Sequence, residues 1–205
     1  MKYNLMAKTM WVMFKNSFEK QLTNTLSESD PKMVMKNAKK KYKEIILSVD
    51  EFKKGDRFIV NILSCAMLSS ILLSVSKKYD VEDIRVYYRK AMCENKLMKK
   101  FAKKSKAYTV KGREKLKKQA EESMNNNNPY SWKFSVKDGK TINQYTATFY
   151  TCGICYLMKK LNLTEYISAM CSLDYDMAEL NNTSFTRKYT LASGGPYCDC
   201  NYDHH

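Results

Sequence analysis

The chain has 205 residues, of which 44% are hydrophobic and 28% charged, proportions that exclude a disordered or fibrous protein. Its formal net charge of +15 raises nucleic-acid binding, but the excess is confined to residues 1–123, with 29 Lys+Arg against 14 Asp+Glu, while 124–205 hold 7 of each. The excess is mostly lysine on helix-like text (Lys39-Lys40-Lys41, Lys99-Lys100, Lys103-Lys104) and arginine occurs only at 57, 85, 89, 113 and 187, so solvated helix faces are expected rather than a specific nucleic-acid reader.

Tyr3 to Phe18 carries apolar residues at helical spacing. Asp30-Pro31 joins a capping carboxylate to a first-turn proline and opens a helix to about Val49. Asp56 to Lys78 reads as the most buried helix. Within it, Phe58 to Val75 is 18 residues without a charge, but Asn61, Ser64, Ser69, Ser70 and Ser74 interrupt it and lysines flank it. A central core helix is expected there, not a membrane span. Val81 to Lys104 follows, with Ile84, Tyr87, Tyr88, Met92 and Leu97 as its inner face. A short charged helix, Gly112 to Ser123, ends at the polar run Asn125-Asn126-Asn127-Asn128-Pro129, which reads as a linker.

Beyond that run the period changes. Tyr130 to Val136 alternates and stops at Asp138-Gly139, a hairpin signal, and Gln144 to Tyr150 alternates again. Cys155 to Leu161 and Thr164 to Leu180 read as helices. Ser184 to Leu191 returns to strand, Gly194-Gly195-Pro196 turns the chain, and Cys198 to Tyr202 can pair back as a last strand. The fold class is α+β: a helical N-terminal half (1–124), then a small antiparallel sheet with helices packed on one face (129–205), forming one continuous globular unit with the site in its C-terminal part.

Absences narrow the chemistry. The only histidines are His204 and His205, so a Ser-His-Asp or Cys-His machine would have to recruit the end of the chain. Gly194-Gly195 follows a strand but leads into no helix, which leaves nucleotide chemistry without a phosphate loop. The seven cysteines, at 65, 93, 152, 155, 171, 198 and 200, are odd in number; with a lysine-rich start and no cleavable leader they point to free thiols in a reducing cytoplasm.

A dense cluster remains. Cys152-Gly-Ile-Cys155 lies at a strand-to-helix junction, and Cys171-Ser-Leu-Asp174 on the next helix sets thiol and carboxylate one turn apart on one face. Arg187 is the sole arginine after the linker, and Thr190-Leu-Ala-Ser-Gly194-Gly195 leads to Cys198-Asp199-Cys200. Three readings stand: cysteines as small core residues; a thiolate metal site, opposed by the expectation that Cys198 and Cys200 face opposite sides of a strand; or a pocket. In the pocket, Arg187 holds a carboxylate, Asp174 or Asp199 moves protons, and one cysteine is nucleophile or wall.

Taken in order, Cys152-Gly-Ile-Cys155, Cys171-Ser-Leu-Asp174-Tyr175 and Phe185-Thr-Arg187-Lys-Tyr-Thr190-Leu-Ala-Ser-Gly194-Gly195-Pro-Tyr-Cys198-Asp199 resemble the L-2-amino-thiazoline-4-carboxylic acid hydrolase family. The likeness is strongest over 145–202 and runs more loosely back through the helix from Arg57 and the one from Val81. It departs at Cys200, where the family carries an aromatic after Cys-Asp. The resemblance implies hydrolytic opening of a cyclic isothiourea to N-carbamoyl-L-cysteine, a step in bacterial cysteine formation. Arg187 would pair with the substrate carboxylate, whose planar geometry matches a guanidinium fork. Asp174 or Asp199 would activate water or protonate the departing ring atom, and Cys171 or Cys198 could attack first instead. Thr190, Gly194, Gly195 and Cys152 would complete the substrate-binding wall. The expected partner is a small carboxylate-bearing substrate, with no cofactor unless thiolates hold a metal, and no membrane. The rival from another class is a non-catalytic sensor or carrier binding in the same pocket.

Overall fold

Start signals written in the sequence set the N-terminal helices. A computed structural model describes residues 1–102 and 106–205. Helix α1 (Leu5–Asn24) is capped by Asn4, whose side chain accepts the Ala7 N–H at 3.1 Å, and it buries Ala7, Trp11, Phe14, Phe18 and Leu22 along one stripe. Helix α2 (Pro31–Leu47) starts as expected, with Asp30 accepting the Met33 N–H at 2.9 Å and proline in the first turn. Helix α3 (Ile59–Leu72) is the most enclosed, with Ile62, Leu63, Cys65, Ala66, Met67 and Leu68 all buried. It is shorter than the expected Asp56–Lys78. The Asp56 carboxylate accepts the Phe58 N–H at 2.9 Å in a turn before the helix, and Ser74 folds its hydroxyl onto the Ser70 carbonyl at 2.8 Å after it. No helix among the described residues is long and apolar enough to cross a membrane.

The expected helix Val81–Lys104 is two helices. Helix α4 (Val81–Cys93) is capped by Asp80, and α5 (Lys96–Ala102) restarts after Asn95, whose side-chain Oδ1 accepts the Leu97 N–H at 2.9 Å while its Nδ2 donates to the Met13 carbonyl at 3.0 Å. An asparagine that caps a new helix cannot continue the old one. The break turns Leu97 outward to 43% exposure, whereas Ile84, Tyr87, Tyr88 and Met92 are buried as expected. Lys103 and Lys104 lie outside the described residues. Helix α6 (Val110–Met124) opens on Thr109, whose hydroxyl accepts the Gly112 N–H. The run read as a linker is tied down: Asn128 donates to the Glu51 carbonyl at 3.0 Å and accepts the Tyr130 N–H at 2.9 Å, and Ser131 donates to Asp56 at 2.7 Å. These bonds hold Tyr130 to Trp132 in a turn, so the first strand begins later than expected.

Strands β1 (Phe134–Asp138) and β2 (Gln144–Phe149) form the expected hairpin. After α7 (Gly153–Lys160), a 3-10 turn (Thr164–Tyr166) leads into α8 (Ile167–Cys171) and α9 (Leu173–Leu180), so the single helix expected over Thr164–Leu180 is broken. Strands β3 (Thr183–Thr186) and β4 (Cys198–His204) complete an antiparallel sheet in the order β1-β2-β4-β3. Its inner face carries Phe134, Phe149, Ala147, Phe185, Cys198 and Cys200, while Ser135, Thr146, Thr148 and Ser184 occupy the other. Helix α3 packs on α1, α2 and α7, and α4 packs on α1 and α8, so buried side chains run without interruption from Ala7 to Leu173. Each fully buried large side chain there contributes roughly 1.5–3 kcal/mol.

One buried ion joins the two halves. Arg113, 3% exposed on α6, donates to the Ala107 carbonyl at 3.0 Å, Asp138 at 2.9 Å, the Gln144 carbonyl at 3.1 Å and the Ile142 carbonyl at 2.8 Å, with its guanidinium 4.4 Å from the Tyr145 ring. Lys117 also binds Asp138, and Lys117 first, then Arg113, hold that carboxyl below the usual carboxylate range. Arg113→Met leaves three carbonyls without their donor and is expected to cost about 3 kcal/mol. In a chain of this size that lowers the melting temperature by roughly 6–12 °C. A melting curve superimposable on the parent's would remove Arg113 from this role.

Candidate functional site

The pleat of β4 decides which residues can meet. Cys198 and Cys200, expected on opposite faces, share the inner one, because two residues make one full pleat period. Asp199 between them lies on the other face, where its Oδ1 accepts the backbone N–H groups of Lys188 at 3.1 Å and Tyr189 at 2.6 Å. These bonds end β3 at Thr186, instead of the Leu191 expected from sequence, and swing the chain into the loop that follows.

Arg187, the first residue of that loop, reaches inward to the break between α8 and α9. The break itself is at Ser172, whose hydroxyl donates to the Ala169 carbonyl at 2.8 Å. Cys171 and Asp174 therefore lie on two short helices rather than on one face of a single helix. Arg187 brings them back together: Nη1 donates to Asp174 at 2.9 Å and Nη2 to the Cys171 carbonyl at 3.2 Å. The rings of Tyr175 and Phe185 lie 5.6 Å and 5.5 Å from the guanidinium. The Arg187 side chain is 8% exposed and that of Asp174 is 50% exposed, so the carboxylate stands between the guanidinium and solvent.

The surroundings tune both charges. Crowding by protein atoms pushes the Asp174 carboxyl above its ordinary value; the charge and hydrogen bond of Arg187 oppose this without cancelling it. For Arg187, burial works against the charge, but the charge of Asp174 outweighs it and the guanidinium stays protonated. Burial likewise raises the Cys171 thiol, with Cys152 and Asp174 adding to the rise and Arg187 opposing it. Cys200 is pushed up to about 12, first by burial and then by Asp174, again against Arg187. Both thiols are neutral around pH 7.

The Thr190 loop is built from its own backbone. The Thr190 hydroxyl accepts the Ala192 N–H at 3.2 Å, and its carbonyl accepts the Gly195 N–H at 2.9 Å. Gly194 sits at φ +81°, where a side chain is strained, and a Cβ on Gly195 would lie 2.9 Å from the Thr190 carbonyl oxygen. Cys198 closes the loop: its sulfur accepts the Leu191 N–H at 3.2 Å and lies 3.6 Å from the Thr190 hydroxyl. Thr190, Gly194, Gly195 and Cys198 are thus one structural unit beside Arg187.

Cys152 caps α7 and, with Cys155, lines a separate cleft of about 410 Å³. Its sulfur also feels Cys171 and the buried Cys65 of α3, a neighbour nothing in the sequence pattern singled out. Tyr175 and Phe185 were likewise missed as site residues, since only the fold sets their rings against Arg187. His204 stacks on Tyr108 at 4.3 Å and is six residues from Cys198 along β4, about 20 Å at strand rise. His204 is therefore out of reach of the Cys198 thiol. Among the described residues, no three His, Cys, Asp or Glu side chains gather closely enough to hold a metal ion.

The family model described as L-2-amino-thiazoline-4-carboxylic acid hydrolase matches residues 60–202. The chain belongs to that family. No curated protein and no solved structure matches it. The part matched to the hydrolase family starts in α3 and ends in β4, so it contains Cys152, Cys171, Asp174, Arg187 and the Thr190 loop. Helices α1 and α2 lie outside it and cover the core side of α3. In this family member the Asp174–Arg187 pair makes a signed prediction. Arg187 lowers the Asp174 pKa, so Arg187→Met must raise it further from a starting point already above the ordinary carboxylate value. Carbon-detected NMR titration of the Asp174 carboxyl checks this; a downward or absent shift would show that the two groups are not paired.

Proposed function

We propose that the protein is a hydrolase that opens a small cyclic amidine or isothiourea ring bearing a carboxylate, of the L-2-amino-thiazoline-4-carboxylate type, to give an N-carbamoyl amino acid. The observation that carries this reading is the Asp174–Arg187 pair, a half-exposed carboxylate of raised pKa held on a buried guanidinium within the family's matched span. The reacting carbon of such a ring is bonded to nitrogen and sulfur and is attacked by water. Asp174 takes the proton of that water as the C–O bond forms. It returns the proton to the ring sulfur as the C–S bond breaks. The second proton of the water passes to the ring nitrogen, whose C=N bond has become C–N, and the carbamoyl group is left on nitrogen. A carboxylate of raised pKa is a stronger base for the first step and is more readily reprotonated for the second.

Arg187 has five N–H donors in a planar fork. In this reading it fixes the direction of Asp174 and offers its positive charge to the substrate carboxylate. Two arguments favour Asp174 over Asp199 as the acid–base group: Asp199 lies on the opposite face of β4, and its Oδ1 already holds the Lys188 and Tyr189 N–H groups. The neutral thiols of Cys171 and Cys200 act as polarisable wall, because attack would require the thiolate. Seven free thiols fit a reducing compartment, which supports cytoplasmic residence.

Incubation of reduced protein with L-2-amino-thiazoline-4-carboxylate, following N-carbamoyl-L-cysteine by mass spectrometry, tests the reading. Turnover is expected, with Asp174→Asn lowering kcat by about 100-fold or more. Arg187→Lys should raise KM sharply with a smaller effect on kcat, since a lysine cannot present the fork. Folded wild-type protein that binds this substrate without converting it would replace the enzyme with a carrier or sensor.

A further inference from the structure

The Cys152–Cys155 pair takes no part in that chemistry, and its setting is distinctive. Cys152 is the capping residue of α7 and Cys155 lies three positions on, so the two side chains share the first turn. Both cysteines are only partly buried. The turn is held rigidly. A Cβ on Gly153 would be driven into the Tyr130 carbonyl and against the Trp132 ring, so the backbone of α7 docks flush on the Tyr130–Trp132 segment. Both cysteines line the 410 Å³ cleft together with Lys133, Thr151, Tyr156 and Lys159, which opens them to small molecules and sets two cations nearby. The other thiols lack this combination: Cys65, Cys198 and Cys200 are buried, and Cys93 and Cys171 have no second cysteine within one helical turn.

We propose that Cys152 and Cys155 form a redox-active dithiol that exchanges with small-molecule disulfides carried into this cleft and closes to an internal disulfide. The proposal is independent of the hydrolase reading. Cys155 is the attacking group. The neighbouring Cys155 sulfur and burial hold the proton on Cys152, which leaves Cys155 to attack first. The Cys155 thiolate attacks one sulfur of the incoming disulfide; the S–S bond breaks and one small thiolate leaves, taking a proton from solvent. Cys152 then gives up its proton and attacks the Cys155 sulfur of the mixed disulfide, expelling the second small thiol. Two electrons and two protons pass from the protein to the small disulfide, which becomes two thiols. Because the two cysteines share the first turn of α7 and line one cleft, closure is intramolecular. The lysines that line the cleft draw in disulfides that carry carboxylates, such as glutathione disulfide.

The test is equilibration of the reduced full-length protein in buffers of glutathione and glutathione disulfide at increasing ratios of disulfide to thiol. Free thiols are trapped by alkylation and the cysteine peptides mapped by mass spectrometry. A Cys152–Cys155 disulfide is expected at ratios that leave Cys65, Cys171, Cys198 and Cys200 alkylated. Cys152→Ser is expected to trap a glutathione adduct on Cys155, whereas Cys155→Ser forms such an adduct much more slowly. Two alkylated thiols at 152 and 155 across the whole range overturn the proposal, as does a bond joining Cys152 to Cys65 or Cys171. The wild-type map decides the matter even if a serine variant fails to fold.

Discussion

Burying a guanidinium costs several kcal/mol unless its donors find partners, and Arg113 meets that condition only when three separate segments are in place. It needs the Ala107 carbonyl before α6, the Asp138 carboxylate at the end of β1, and the Ile142 and Gln144 carbonyls at the far side of the hairpin loop. The hairpin register is therefore fixed from both ends. Phe134 pairs with Phe149 and Asp138 with Tyr145, and β2 in turn sets β4 with Cys200 opposite Ala147. A slip of one residue would turn Cys198, Cys200 and Phe149 to the polar face. The inward aim of the cysteine strand thus depends on an arginine in the helical half.

Arg113 and Arg187 are the same residue type under opposite constraints. Around Arg113 the acceptors include three backbone carbonyls, which cannot change charge, and its carboxylate partner Asp138 is pulled below the usual range by two cations. Around Arg187 the one carboxylate is raised, because crowding outweighs a single cation. The first arrangement is stable across the physiological pH range and holds shape. The second leaves a proton site whose occupancy responds to what binds beside it. Of the lysines in the N-terminal half, Lys117 joins the first arrangement by binding Asp138.

What was legible in the sequence follows the range of the interaction. Asp30-Pro31 and Asp138-Gly139 act within a few residues, and the elements they announce are there. The alternation of Gln144 to Tyr150 reports a strand with one polar face, and Cys198 to Tyr202 pairs back beside it as expected. The misses are interruptions caused by side chains reaching across the fold. Asn95 breaks a helix because Met13 supplies a carbonyl 82 positions away, and Tyr130–Trp132 is no strand because Asp56 takes the Ser131 hydroxyl. At the site, the residue types were legible and their partners were not. Cys171, Asp174 and Arg187 stand together, but Asp199 was separated from them by strand parity, which adjacent spelling conceals.

The sulfur-rich setting gives the Asp174–Arg187 pair its character. Neutral thiols are small and polarisable and hydrogen-bond only weakly, so they exclude water from the guanidinium without competing for the carboxylate. A hydroxyl or amide in place of Cys200 would donate to or accept from the pair and stabilise the ionised carboxylate, drawing its pKa back towards the ordinary value. Each pKa unit is a tenfold change in proton affinity, about 1.4 kcal/mol, so such a change would weaken the base that the proposed reaction needs. Crowding by protein atoms and pairing pull in opposite directions at Asp174, and crowding prevails. The cysteines serve that balance by remaining protonated, a role that needs them unreactive and distinguishes them from the pair at the head of α7.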